Sequence, residues 1–157
     1  MYSYKNIIKL PFDIKSLKYE RLPDENFDYT KKSLLGEMYN DKLDKDKHDL
    51  SHLNVKGWQN FAWCFYKLTP GRWLPPHKDH FKNYCNYYKI SNKNKIMRTI
   101  VFLEDWKPGH YFEVNNKPCV NWKAGQYILL DQTMWHRSGN VGVDKKYTAQ
   151  VTGVLKV

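Results

Sequence analysis

The sequence predicts a mainly β domain of the antiparallel jelly-roll kind, preceded by a mixed, partly helical N-terminal leader. Three observations carry that expectation. From Gly57 onward, short runs rich in aromatic and β-branched residues recur at nearly regular intervals, the spacing of a sandwich or barrel. Gly, Pro and Asn clusters separate those runs and supply the turns. The chain has 157 residues, 41% of them apolar and 16% aromatic, enough to bury one core without staples and too few for a second. Residues 1–157 therefore read as a single domain, with 1–57 as leader and 58–157 as barrel core.

In the leader, the spacing of Leu34, Leu35 and Met38 fits a 3.6-residue period and predicts helix over Thr30 to Tyr39. Asp41 to Asp49 mixes both signs of charge, the pattern of a solvated surface rather than an interaction tail. His48 and His52 stand four apart without the glutamate of a zinc-protease helix, so both read as surface histidines.

The core runs follow in order. Phe61 to Leu68 is aromatic-rich and stops at Thr69-Pro70-Gly71; Ile96 to Leu103 follows the polar stretch Ser91 to Lys95. His110 to Val114 lies between Pro108-Gly109 and Asn115-Asn116, Gln126 to Leu130 follows Ala124-Gly125, and Lys146 to Thr152 follows Asn140-Val141-Gly142. Each alternates or concentrates strand-forming residues between breakers. His110, next to a turn, reads as a surface or lid residue. Trp106, Trp122 and Trp135 stand at strand ends and read as caps on a small core.

Composition narrows the function. Lys and Arg number 26 against 16 Asp and Glu, a net charge of +10, yet the lysines are scattered and only Arg21, Arg72, Arg98 and Arg137 are arginine. Nucleic-acid binding needs clustered cations to release counterions, so a nucleic-acid partner is disfavoured but stays open. Three cysteines with no C-x-x-C pair suit reduced thiols. No apolar stretch approaches the ~20 residues of a membrane helix, and the first residues open no secretory apolar region. These features predict a cytoplasmic protein without a membrane partner. A short barrel that covers an open edge by pairing also leaves a homodimer open.

Pro75-Pro76-His77-Lys78-Asp79 is the most informative stretch. The prolines fix an extended approach, after which alternation puts His77 and Asp79 on one side of a strand. His136 follows 57 residues after Asp79, beyond the run ending at Leu130, where a jelly roll makes distant strands neighbours. Two imidazoles and one carboxylate on one face of an ion leave the opposite face open, the ligand set of non-haem iron(II) oxygenases. Ten residues past His136 comes Lys146, and Thr148 two further on. An ammonium and a hydroxyl on one strand face can clamp a carboxylate.

On His77-x-Asp79, the distant His136, and Lys146 with Thr148, the chain resembles the iron(II)/2-oxoglutarate-dependent oxygenases over about residues 61–153. Arg98, opening a strand after the His-x-Asp, adds a resemblance to the aspartyl/asparaginyl and proline hydroxylase branch, which commonly has Arg where this chain has Lys146. The resemblance implies a double-stranded β-helix, cupin-like core. It implies Fe(II) on His77, Asp79 and His136, and 2-oxoglutarate with its 5-carboxylate on Lys146 and Thr148. The implied activity is hydroxylation of a C–H bond in a small amino-acid-like or peptidyl substrate, with succinate and carbon dioxide formed alongside.

Arg98 and Tyr84 complete the candidates. An inward Arg98 is costly unless it meets a carboxylate, which could belong to substrate, to 2-oxoglutarate, or to Glu104 or Asp105 as a structural pair. Tyr84, five residues past Asp79, could hydrogen-bond the cosubstrate or line the rim. His80 faces away from His77 by strand alternation. Two other functions stay open: a non-catalytic cupin-like barrel binding metal or ligand, and an oxygenase directed at nucleic acid.

Overall fold

Strand alternation builds two antiparallel sheets from the runs read above. The computed structural model describes residues 13–21, 36–39, 51–54 and 56–155. The strands are β1 (Glu20–Arg21), β2 (Glu37–Tyr39), β3 (Gln59–Leu68), β4 (Arg72–His77), β5 (Ile96–Phe102), β6 (His110–Val114), β7 (Lys117–Cys119), β8 (Tyr127–Asp131), β9 (His136–Asn140) and β10 (Lys146–Val154), with helix α1 at Lys82–Tyr88. Among the described residues the larger sheet has the order β1-β2-β3-β10-β5-β8 and the smaller β4-β9-β6-β7.

The inner core joins the two sheets. Ile100, Phe102, Ile128 and Leu130 of the larger sheet pack with Phe112, Val114 and Cys119 of the smaller, together with Trp122. A second core lies on the other side of the larger sheet, where Ile14 and Leu53 of the leader cover Phe65, Val101, Tyr147, Ala149 and Val151. Both faces of β10 are thus buried, and its alternation is unusual. Apolar Tyr147, Ala149 and Val151 face the leader, while Lys146, Thr148 and Thr152 are buried on the other side. Polar side chains in a barrel interior cost desolvation, so this strand already points to a site.

Gly153, at the register shift between Thr152 and Val154, lies against Trp58. A Cβ there would come 2.8 Å from Trp58 Cε3 and closer still to its Cβ. Gly153→Ala is therefore expected to destabilise the protein by about 2 kcal/mol through overpacking. The check is the urea midpoint, which should fall with the m value unchanged.

One local expectation is corrected. Of the helix predicted over Thr30 to Tyr39, Glu37–Tyr39 is strand β2, paired with Phe65 to Lys67; cross-strand pairing overrides a short 3.6-residue period. Residues 30–35, the charge run and His48 lie outside the described residues. Helix α1 has an Asn- and Tyr-rich sequence of modest helix propensity. It forms because Phe81 and Cys85 bury against Ile96, and it ends at Lys89 in the left-handed region. No helix among the described residues is long and apolar enough to cross a membrane.

Candidate metal centre

His77 and His136 meet because they are cross-strand partners: β4 ends at His77, directly opposite the first residue of β9. The register shift between Leu74 and His77 accommodates Pro75-Pro76 on the edge strand of the smaller sheet, where a missing N–H costs little. The two rings are 4.3 Å apart, centroid to centroid. His77 Nδ1–H donates to the Pro75 carbonyl at 2.7 Å, and His136 Nδ1–H to the Met134 carbonyl at 3.2 Å. A carbonyl only accepts, so both rings carry a proton on Nδ1 and leave Nε2 to face the site.

Asp79 arrives differently from the sequence expectation. Strand β4 has ended, so Asp79 sits in the connection to α1, and alternation does not place it. Arg98 does. The Arg98 Nη1–H donates to Asp79 Oδ1 at 2.8 Å, its Nε–H donates to Thr152 Oγ1 at 3.0 Å, and its guanidinium lies 5.1 Å from the Phe81 ring centre. The carboxylate that Arg98 requires is thus Asp79 itself, rather than Glu104 or Asp105.

The ligand atoms of His77, Asp79 and His136 all lie within 4.8 Å of one another. Asp79 Oδ2 is 3.7 Å from His136 Nε2, too long for a hydrogen bond. Burial holds the His136 imidazole well below its ordinary value, outweighing the pull of Asp79 in the other direction. The ring is neutral near pH 7, so this contact is not an ion pair. Asp79 Oδ2 is buried without a hydrogen-bond partner, a costly state for a carboxylate oxygen. Two imidazole nitrogens and one unsatisfied carboxylate oxygen converging on one point fit a divalent transition-metal ion.

Lys146 and Thr148 are buried, on the same inward side of β10. The Lys146 ammonium donates to the Tyr111 carbonyl and to Ser138 Oγ at 2.7 Å. It lies 5.4 Å from the ring centres of both Phe112 and Trp122. Burial pushes it down to about 7, since aromatic faces and neutral acceptors compensate poorly for lost water. Ser138 was missed in the sequence; its signal is its place two residues after His136, on the same face of β9.

The other candidates lie elsewhere. Tyr84 OH donates to the Asn60 carbonyl at 2.6 Å, tying α1 to the start of β3, and is not part of the His77–Asp79–His136 cluster. His80 is exposed. His110, expected at the surface, is buried at the first position of β6. It faces Trp122 and reaches the Asp144 carbonyl at 3.3 Å, and burial lowers its pKa. Trp122 caps the inner core as expected, whereas Trp135 is 52% exposed.

No family model matches the chain, and no curated protein matches it. Solved structures do. A prolyl-4-hydroxylase from Pseudomonas putida superposes with a TM-score of 0.58 at 13% identity, over 85% of this chain and 79% of that one. A predicted oxalate decarboxylase from Thermotoga maritima gives 0.52 at 18% identity, over 90% and 96%. The Cnp3 cupin domain of Schizosaccharomyces pombe gives 0.52 at 9% identity, over 91% and 72%. Likeness at these identities is likeness of fold: the chain has the cupin, double-stranded β-helix architecture.

Proposed function

We propose that this chain is an iron(II)- and 2-oxoglutarate-dependent oxygenase that hydroxylates a C–H bond of a small amino-acid-like or peptidyl substrate. The observation that carries the reading is the buried, unsatisfied Asp79 Oδ2 beside two imidazole nitrogens. His77, Asp79 and His136 would hold the ion, with Arg98 fixing the carboxylate so that one oxygen remains for the metal. Bound iron(II) supplies the dioxygen chemistry that couples oxidative decarboxylation of 2-oxoglutarate to oxygen insertion into a C–H bond.

The chain's own residues bind and orient. Lys146 and Thr148 would take the distal carboxylate of 2-oxoglutarate by a charge-assisted and a neutral hydrogen bond. A carboxylate arriving beside Lys146 favours the ammonium form, so cosubstrate binding and Lys146 protonation reinforce each other. Phe112 and Trp122 keep water from the pair, which strengthens it. Arg98 is already engaged with Asp79 and Thr152, so its role here is to position a ligand rather than to seize the substrate.

A second reading has its own support. The Lys146 ammonium is already held by neutral acceptors, as it would be in a barrel that binds metal without turnover. One titration separates the two. Anaerobic addition of 2-oxoglutarate to the iron(II)-loaded protein is expected to give the visible charge-transfer band of a chelated 2-oxo acid, and aeration to release succinate. His136→Ala should lose both. Metal binding without a band, and without succinate over long incubation, would sink the enzymatic reading and leave the binding barrel.

A further inference from the structure

The outward side of the smaller sheet carries a second candidate site. Trp73, Gly139 and Tyr111 form one row across β4, β9 and β6, and Arg137, Glu113 and Pro118 form the next across β9, β6 and β7. These rows alternate with Leu74, Ser138, Phe112 and Cys119, whose side chains point inward, so they face away from the barrel. A cleft of about 460 Å³ lies here, walled by Pro76, Glu113, Asn115, Asn116, Trp135 and Arg137. His136 also borders it, although its ring points into the barrel, stacked against Phe112.

Large apolar rings are left exposed on this side. Trp73 is 41% and Trp135 52% exposed, and no other tryptophan among the described residues is exposed. The Trp135 backbone is tied to Asn115 twice: its backbone N–H donates to Asn115 Oδ1 at 3.0 Å, and the Asn115 backbone N–H donates to the Trp135 carbonyl at 2.8 Å. Lys78, which does not wall the cleft, packs its ammonium 5.2 Å from the indole centre. Gly139 contributes no side chain between Trp73 and Tyr111; a Cβ there would find both neighbours at an ordinary 3.8 Å. The gap between Trp73 and Tyr111 is open because a glycine stands there, not because larger residues are excluded.

The polar groups define the ligand. Arg137 Nη2–H donates to Glu113 Oε2 at 2.8 Å, and Tyr111 OH donates to the same oxygen. Arg137 and then Tyr111 hold the Glu113 carboxyl below its ordinary range. The cleft therefore carries one charge of each sign, mutually cancelled, and selects neither an anion nor a cation. What it offers is donors and acceptors side by side: the Arg137 guanidinium next to the Glu113 carboxylate, and the Asn115 and Asn116 amides, which present both kinds. A hydroxyl group donates and accepts at once, and the C–H faces of a sugar ring pack on an indole as other apolar surface does.

We propose that this face binds a neutral oligosaccharide, with sugar rings against Trp135 and Trp73 and hydroxyls on Arg137, Glu113 and the Asn115-Asn116 turn. The two tryptophans flank four residues of β-strand rise, about 13 Å, which calls for more than one sugar ring.

The test is calorimetric titration of the full chain with four neutral probes: maltohexaose, cellohexaose, chitohexaose and xylohexaose. At least one is expected to bind with a Kd below about 1 mM, with little change on adding salt because no ion pair forms with the ligand. Trp135→Ala, an exposed position that leaves the fold intact by its melting temperature, should weaken that binding about tenfold or more, and Trp73→Ala should weaken it too. His77→Ala, at a residue of the metal cluster that does not wall the cleft, should leave it unchanged, which separates this site from the metal centre. Silence from all four probes overturns the proposal. So does tighter, steeply salt-dependent binding of a heparin oligosaccharide, which would make the face a polyanion site. A wild-type dimer that Trp73→Ala converts to monomer would make it an interface between copies, and would overturn the proposal equally.

Discussion

Lys146→Met is expected to stabilise the protein and abolish 2-oxoglutarate binding in the same step. Lys146 is fully buried, meets no carboxylate among the described residues, and is pushed by burial from its ordinary 10.5 down to about 7. The sign follows from proton counting. Between about 7 and 10.5 the unfolded chain holds the proton and the folded chain has released it, so wild-type stability rises with pH across that window. Below about 7 the folded state keeps a charged ammonium in the core, and the penalty is complete. Replacing a buried ion by an apolar side chain of similar length commonly gains about 1–4 kcal/mol. Urea melts should show a gain of that size near pH ~6, shrinking toward pH ~10 as the wild-type lysine neutralises. A Met variant that is less stable at every pH would mean that the ammonium and its two acceptors hold the barrel together, and the cosubstrate clamp would lose its rationale.

Asp79→Ala is expected to cost about 3 kcal/mol in the metal-free protein, because it strands the partly buried Arg98 guanidinium without its carboxylate. Divalent metal binding should disappear with it. Arg98→Met makes the sharper comparison. All three ligand side chains remain, yet affinity for the ion should fall about 10–100-fold, the usual loss when a group orienting a ligand is removed. The double variant Asp79→Ala/Arg98→Met should recover part of the stability and none of the metal binding. A double-mutant cycle with no coupling would show that the 2.8 Å contact between Arg98 and Asp79 does not organise the centre. Fluorescence-detected competition for the metal reads this out without turnover.

The fold was legible because its signals are local. Breakers such as Thr69-Pro70-Gly71 and Pro108-Gly109 end strands regardless of what packs on them, and the runs between them became β3, β5, β6, β8 and β10. His77-x-Asp79 was legible as a short motif, and His136 through its resemblance to a family pattern; the structure draws those three together. Features set by partners distant in sequence were not. Glu37–Tyr39 shows helical spacing and forms a strand because β3 offers an edge. Arg98 needed a carboxylate, but only the three-dimensional course of the chain after β4 could supply Asp79. His110 stands next to a turn, and its burial depends on which way β6 starts. Trp135 has the look of a core residue, and only the inward commitment of His136 leaves the preceding ring in water.

Strand β10 is a partition wall with a different tenant on each side. Tyr147, Ala149 and Val151 lodge Ile14 and Leu53, while Lys146 and Thr148 stand across the same backbone, one residue out of step. The leader's packing and the placement of Lys146 and Thr148 thus share one backbone, so a displacement of β10 on one side is felt on the other.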